Sequence, residues 1–417
     1  MKTTRREFLR CSATAGAVAF GSKLAASERK PVSFAELDRV AALPVLKVDS
    51  LTSPVVIESM ELLHNERTFL VRVRSKDGAE GISVANASRM MEAYPIFLRR
   101  VAPFCVGKDA RQWEEHLWEL YRYKSNYKFQ GLAFWVCVAA AEIAVLDLLG
   151  KLAGKSIGEL LGGVRQRDVT VYRASGNRGN RPEAEIDYLK KLVAETGAKA
   201  VKFRLGGRMS KNADSLPGRT EKLIPLVRKA LGDDMALYAD SNSSYDAKNA
   251  IRVGQIMQEH DYAFFEEPCR FDHLEETKEV ADALSMPVAG GEQEFSHWRF
   301  RYMIRHRVVD VVQPDLHYYG GFVRALRVAR MAHAAGMLCT PHMSGSGLGY
   351  LDVAHFVSCI PNAGRHHEFK GNTRLPVHCE TSSLKCENGV VRVPSGPGYG
   401  ITIDPGFIKK SQKLTTI

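Results

Sequence analysis

From Tyr238 to Glu368, six short apolar runs each end in one polar residue. These are Asp240 after ALYA, Glu266 after YAFF, Glu292 after PVAGG, Asp315 after DVVQP, His342 after LCTP and Glu368 after a histidine pair. The steps between them are 26, 26, 23, 27 and 26 residues. That is the length of one strand, one loop and one helix. Two further apolar runs, Val169 to Ala174 and Ala200 to Leu205, bring the strand number to about eight, the usual closure number of an α/β barrel. Barrel enzymes hold their chemistry at the carboxyl ends of the strands, where these polar residues fall.

The residue types define a chemistry. Asp240, Glu266 and Glu292 end three consecutive strands. Three converging carboxylates repel one another unless a cation sits between them, and hard oxygen ligands suit Mg²⁺. A single acid at such a place is more often a surface group or a helix cap; three on one period are a metal site. Glu267 follows directly and is expected on the opposite face of its strand, in a supporting or structural role. Asp315 and His342 end the next two strands, and a carboxylate that fixes an imidazole makes a general base. Lys202 and Arg204 stand at i and i+2, so both point to one face. They are expected to meet a substrate carboxylate or enolate; the competing arrangement is an ion pair with the acids themselves.

Before the barrel, Val45 to Ala85 reads as antiparallel strands with a turn at Lys76-Asp77-Gly78. Ser88 to Leu149 reads as helical and ends in the apolar segment Phe134 to Leu149. The expected organisation is an α+β domain over 45–155, a barrel over 156–371, and a tail over 372–417 that packs back on the first domain. The polar segment Arg208 to Arg219 is either a flap over the site or a loop without a role. Substrate specificity is expected there and between His64 and Ala85.

Residues 1–26 have the order of a twin-arginine export signal: Arg5-Arg6, an apolar run from Cys11 to Phe20, and small residues at Ala25 and Ala26. The run is too short for a permanent anchor, so the expectation is a periplasmic protein without a stable membrane anchor. The formal charge is +11, of which the leader's five cations and one acid supply +4. The remainder forms no basic run, which argues against nucleic acid and mildly favours a small anionic substrate. Eight cysteines show no CxxC pair; Cys379 and Cys386 are a possible disulfide on spacing alone.

With Lys202-x-Arg204, Asp240-x-Asn242, Glu266-Glu267-Pro268, Gly291-Glu292, Gln313-Pro314-Asp315 and Pro341-His342 in hand, the chain resembles the enolase superfamily, mandelate racemase subgroup. The resemblance implies an α/β fold, a (β/α)₇β TIM-like barrel under an α+β cap completed by the C-terminal tail. It implies one Mg²⁺ on Asp240, Glu266 and Glu292, and proton abstraction beside the carboxylate of a small-molecule substrate. Asp315 with His342 matches the histidine-side base. Asn242 and Glu368 match substrate-binding positions, and a homo-oligomer is expected. Arg204 departs from the pattern, because many members carry there a lysine that serves as the opposite-face base. A guanidinium, with a pKa above ~12, is a poor base, which weighs against racemisation. The expected activity is therefore dehydration of an aldonate or aldarate to a 2-keto-3-deoxy acid, with Mg²⁺ and Lys202 stabilising the charge that develops. The alternatives are a racemase or epimerase of a 2-hydroxy acid, and a metal-dependent binding protein without turnover.

Overall fold

Period-two alternation over residues 57–84 produces an antiparallel meander of β1 (Ile57–Asn65), β2 (Thr68–Ser75) and β3 (Glu80–Val84). The computed structural model describes residues 31–345 and 347–415; the twin-arginine segment lies outside them. One face of the meander is covered by the apolar helix Leu132–Ala153. This helix is long and apolar enough to cross a membrane, yet 89% of its most apolar window is buried inside the protein. Contact is close at Gly81, where a Cβ would sit 2.2 Å from the carbonyl oxygen of Ala144. Only glycine lets the strand and helix backbones meet there.

Eight parallel strands follow: β4 (Asp168–Ala174), β5 (Ala200–Arg204), β6 (Ala236–Asp240), β7 (Phe264–Glu266), β8 (Val288–Gly290), β9 (Val311–Val312), β10 (Leu338–Cys339) and β11 (His367–Phe369). The seven intervals between them each hold a helix; β11 pairs with β4, and a bridge from Cys339 of β10 to Ala363, ahead of β11, brings the ends of the ring together. The architecture is the expected (β/α)₇β barrel with an N-terminal cap. Inside the ring, Tyr172, Tyr238 and Phe264 fill space beside the small Ala174, Ala200 and Ala289. This plug closes the barrel below the strand ends and confines chemistry to the upper mouth.

The tail divides rather than packing wholly on the cap. Gln412–Lys413 adds an antiparallel edge to β1, as expected. Val390–Arg392, however, pairs antiparallel with the first residues of β4, Val391 opposite Val169. Those residues precede the part of β4 that pairs with β5 and β11, so their backbone groups need a partner that the barrel does not supply. The turn Pro397–Gly400 seats against the cap helix, where Tyr399 N–H donates to Asp147 Oδ1 at 2.8 Å. The Tyr399 hydroxyl donates to Asp352 Oδ1 at 2.6 Å, tying the cap to the barrel helix Gly349–Cys359. Cys379 and Cys386 are not paired; both are free thiols.

Candidate active site

Parallel register sets the height of the site. Arg204 of β5 lies beside Asp240 of β6, which lies beside Glu266 of β7. In-register neighbours present their side chains to the same face, so the three meet above the plug. Glu292 stands two residues past β8, Asp315 three past β9 and His342 three past β10, while Glu368 lies within β11. All are buried. One oxygen from each of Asp240, Glu266 and Glu292 lies within 4.8 Å of the other two. Glu292 Oε2 is buried and accepts no hydrogen bond from the described residues. A buried carboxylate oxygen without a donor, beside two further carboxylates, is the donor set of a divalent ion with oxygen ligands, and the residues fit Mg²⁺.

The two cations are committed to the acids. Lys202 Nζ donates to both oxygens of Glu266, at 2.6 and 2.8 Å, and lies 3.4 Å from Glu368 Oε1. Arg204 pairs with Asp240. In this structure the competing arrangement holds: both side chains are in ion pairs with the acids rather than facing open space. Buried anions demand counter-charge, and the shared strand register puts these cations nearest. Burial works against the charge on Lys202, but Glu266 and Glu368 prevail and raise its pKa above the ordinary range. The amine stays an ammonium.

Asp315 and His342 form a dyad. His342 Nδ1 lies 2.7 Å from Asp315 Oδ2, and Asp315 Oδ1 accepts from the N–H groups of His317 and Tyr318 and from Ser344 Oγ at 2.8, 2.9 and 3.0 Å. A carboxylate so saturated keeps the proton on Nδ1, leaving Nε2 as the basic nitrogen. Nε2 faces the acids, 3.3 Å from Glu292 Oε2 and 3.6 Å from Glu368 Oε2. Burial opposes protonation of His342, yet Glu292, Glu368 and the Asp315 hydrogen bond together raise its pKa. Burial likewise raises the Asp315 carboxyl, but the His342 hydrogen bond and charge outweigh it and hold the group below the ordinary value.

Asn242 joins this constellation, its backbone N–H 2.6 Å from Asp240 Oδ1 and its Nδ2 3.0 Å from Asp240 Oδ2. Glu368 accepts the N–H of Met343 at 3.0 Å. Glu267 corrects the reading from strand alternation. It leaves the extended conformation, with φ +41°, and its carboxylate accepts from Asn242 Nδ2 at 3.3 Å instead of turning away. Burial, then Glu292 and Glu266, push its pKa well above the ordinary carboxylate value.

Several neighbours had no role in the sequence reading. Gln313, noted there only as part of the Gln313-Pro314-Asp315 motif, donates from Nε2 to Glu266 Oε2 at 2.9 Å. Asn86 Nδ2 donates to Ser344 Oγ at 2.9 Å, and Arg89 lies beside Tyr318, whose ring centre lies 6.3 Å from that of His342. Both enter from the start of a cap helix, where no period marks them. The β1–β2 connection, within the stretch expected to hold specificity, is a two-residue turn at Glu66 and Arg67.

Comparisons with known proteins agree with this geometry. Residues 185–407 match the profile of the enolase C-terminal domain-like family, and residues 42–162 match the N-terminal domain of mandelate racemase / muconate lactonizing enzyme. An arabinonate dehydratase of Saccharolobus solfataricus is 27% identical over 83% of this chain and 91% of its own length. A D-galactarolactone cycloisomerase of Agrobacterium fabrum is 28% identical over 83% and 92%. A solved protein of Roseobacter denitrificans, described as a candidate racemase, superposes with TM-score 0.81 at 36% identity, covering 86% of this chain and 99% of that one. A mandelate racemase/muconate lactonizing protein of Paracoccus denitrificans, solved with magnesium, gives TM-score 0.79 at 26% identity over 87% and 100%.

Proposed function

We propose that this chain, which belongs to the mandelate racemase / muconate lactonizing enzyme family, is a Mg²⁺-dependent dehydratase of sugar acids. The observation that carries the reading is His342 Nε2, oriented through Nδ1 by Asp315 at 2.7 Å and 3.3 Å from Glu292, one of the three acids. Asp240, Glu266 and Glu292 would hold the ion. When bound there, a divalent ion stabilises negative charge developing on the substrate carboxylate.

His342 Nε2 takes the proton from the carbon next to the carboxylate. The released electron pair forms a double bond to the neighbouring carbon, whose hydroxyl departs as water with the proton that His342 returns. The resulting enol tautomerises to a 2-keto-3-deoxy acid. Lys202, positioned beside Glu368, fixes the carboxylate end, and Asn242 and Glu267 brace the opposite side. Arabinonate and galactonate dehydratases among the relatives support this substrate class.

A two-base racemase is less well supported. The second cationic position of β5 is Arg204, whose guanidinium keeps its proton and is no neutral base on the face opposite His342. The test is incubation of the purified protein with Mg²⁺ and a panel of sugar acids, reading 2-keto acid formation and α-deuterium exchange in D₂O. Turnover that His342→Asn abolishes supports the mechanism. Exchange without dehydration would select the racemase, and undiminished turnover by His342→Asn would remove the assigned base.

A further inference from the structure

The guanidinium groups of Arg178, in the loop after β4, and Arg208, in the loop after β5, both reach Asn242 Oδ1, Arg208 Nη2 at 3.2 Å. That acceptor is a neutral amide. Among the described residues, Arg178 otherwise donates to the carbonyl of Leu205, at 2.9 Å. No described residue gives either arginine a carboxylate partner, whereas Arg204 has Asp240. The buried Arg219 stands close by, its own donors directed to the carbonyls of Asn180 and Arg204 at 2.7 and 2.8 Å. Like charges gathered on one neutral oxygen repel, and an incoming anion relieves that repulsion. Burial and then Arg204, Arg208 and Arg219 push Arg178 down to about 9.

The segment that carries Arg208 is fixed in place. Met209 N–H donates to Asn242 O at 3.0 Å, Asn212 N–H to Ser244 O at 2.8 Å, and Ser215 Oγ to Arg178 O at 2.7 Å. Arg208, Met209, Lys211 and Asn212 take φ values of +51°, +52°, +50° and +71°, a conformation that costs non-glycine residues energy. Of the two readings of this stretch, neither a loose flap nor a roleless loop accounts for a strained segment bonded to the loop after the first acid. It holds a cation against the loop after β6, a strand separated in the ring order by β7, β8 and β9 from β10, the strand before His342.

We propose that Arg178 and Arg208 bind a second carboxylate at the distal end of the substrate, so that the preferred substrates are sugar diacids rather than monoacids. This rests on the sugar-acid reading of the site. On that reading the reacting carboxylate would lie beside Lys202 and the ion held by the three acids, and a chain of several carbons would carry its far end toward the arginine pair.

The test compares galactarate with galactonate, which differ at the terminal carbon. Calorimetry on His342→Asn with Mg²⁺ reads binding without turnover, and wild-type kinetics read kcat/KM. Tighter binding and higher kcat/KM for galactarate are expected. Arg208→Met or Arg178→Met should lower the diacid-to-monoacid ratio of kcat/KM about 10- to 100-fold, the loss of one charge-assisted contact, with Arg208→Lys in between. Galactonate bound or turned over at least as well as galactarate overturns the proposal, as does an unchanged ratio in folded variants. If a methionine variant fails to fold, the wild-type comparison decides. Monoacid turnover without diacid preference overturns this inference alone, whereas binding and α-proton exchange of no acid in the sugar-acid panel overturns the functional reading with it.

Discussion

Glu142, in the middle of the cap helix, accepts the N–H of Val323 on Oε1 at 2.9 Å, and on Oε2 the indole N–H of Trp113 at 2.7 Å. Val323 opens the barrel helix Phe322–Ala334, so one buried carboxylate joins the cap to the end of a barrel helix where anions are favoured. Burial nevertheless raises this carboxyl from 4.5 to about 7, against the pull of the Val323 and Trp113 bonds.

The sign of the resulting pH dependence is definite. Below pH 4.5 folded and unfolded chains both carry the proton. Between 4.5 and about 7 the unfolded chain has lost it while the folded chain keeps it, so stability falls as pH rises through that window. The full effect is about 3 kcal/mol, at roughly 1.4 kcal/mol per pH unit. Urea unfolding at pH 5 and pH 7 should show about 2 kcal/mol of this loss in the wild type, and Glu142→Gln should lack most of it. Parallel pH dependence in the two proteins would refute the assignment.

Metal binding is expected to register without any substrate. Adding Mg²⁺ to chelator-treated protein should raise Tm, by an amount equivalent to about 2.7 kcal/mol at a hundredfold excess over Kd. Asp240→Asn removes one of the three converging acids and should abolish most of that rise. A full response from the variant would show that the ion binds elsewhere.

Asp315 should control the pH profile as well as the rate. His342 must be unprotonated to act, so its titration sets the acid limb of kcat/KM. The Asp315 hydrogen bond favours the protonated ring, so Asp315→Asn should move the limb to lower pH while kcat drops about 10²- to 10⁴-fold. A reduced rate with an unmoved limb would argue that Asp315 only shapes the loop.

Gly81→Ala tests the seat of the cap helix. The new Cβ would lie 2.2 Å from Ala144 O and 2.5 Å from the backbone nitrogen of Leu148, neither of which can rotate away. The cost should be about 1–3 kcal/mol, the usual range for forcing extra volume into a packed interface. Denaturant unfolding decides it, and a variant of wild-type stability would mean that the helix shifts freely.

Export is proposed from the leader alone. Fractionation of cells making the full chain should find it in the periplasm, shortened, and replacing Arg5-Arg6 with lysines should retain it inside at full length. Unchanged periplasmic delivery of the double variant would exclude the twin-arginine route.

Much of the site was legible because barrel strands are short, apolar and evenly spaced. A polar residue at the end of each run stands out, as with Asp240, Glu266, Glu292, Asp315 and His342. Glu267 was misread because alternation holds only while the backbone stays extended, and φ turns positive there. Arg178, Arg208, Asn86 and Arg89 come from irregular loops and from the cap, where no period links text to space. The Val390–Arg392 strand was assigned to the wrong neighbour because an open strand edge is invisible until the barrel has closed.

By itself the order of residues determined the βα period, the identity of the three acids and the pairing of a carboxylate with an imidazole, since each follows from local alternation and spacing. Only the folded chain decided where the cations spend their charge, which arginines overlook Asn242 and how the tail is shared. Those outcomes depend on which strand edges, helix ends and buried anions become neighbours, and electrostatic partners are chosen by distance in space rather than by separation along the chain.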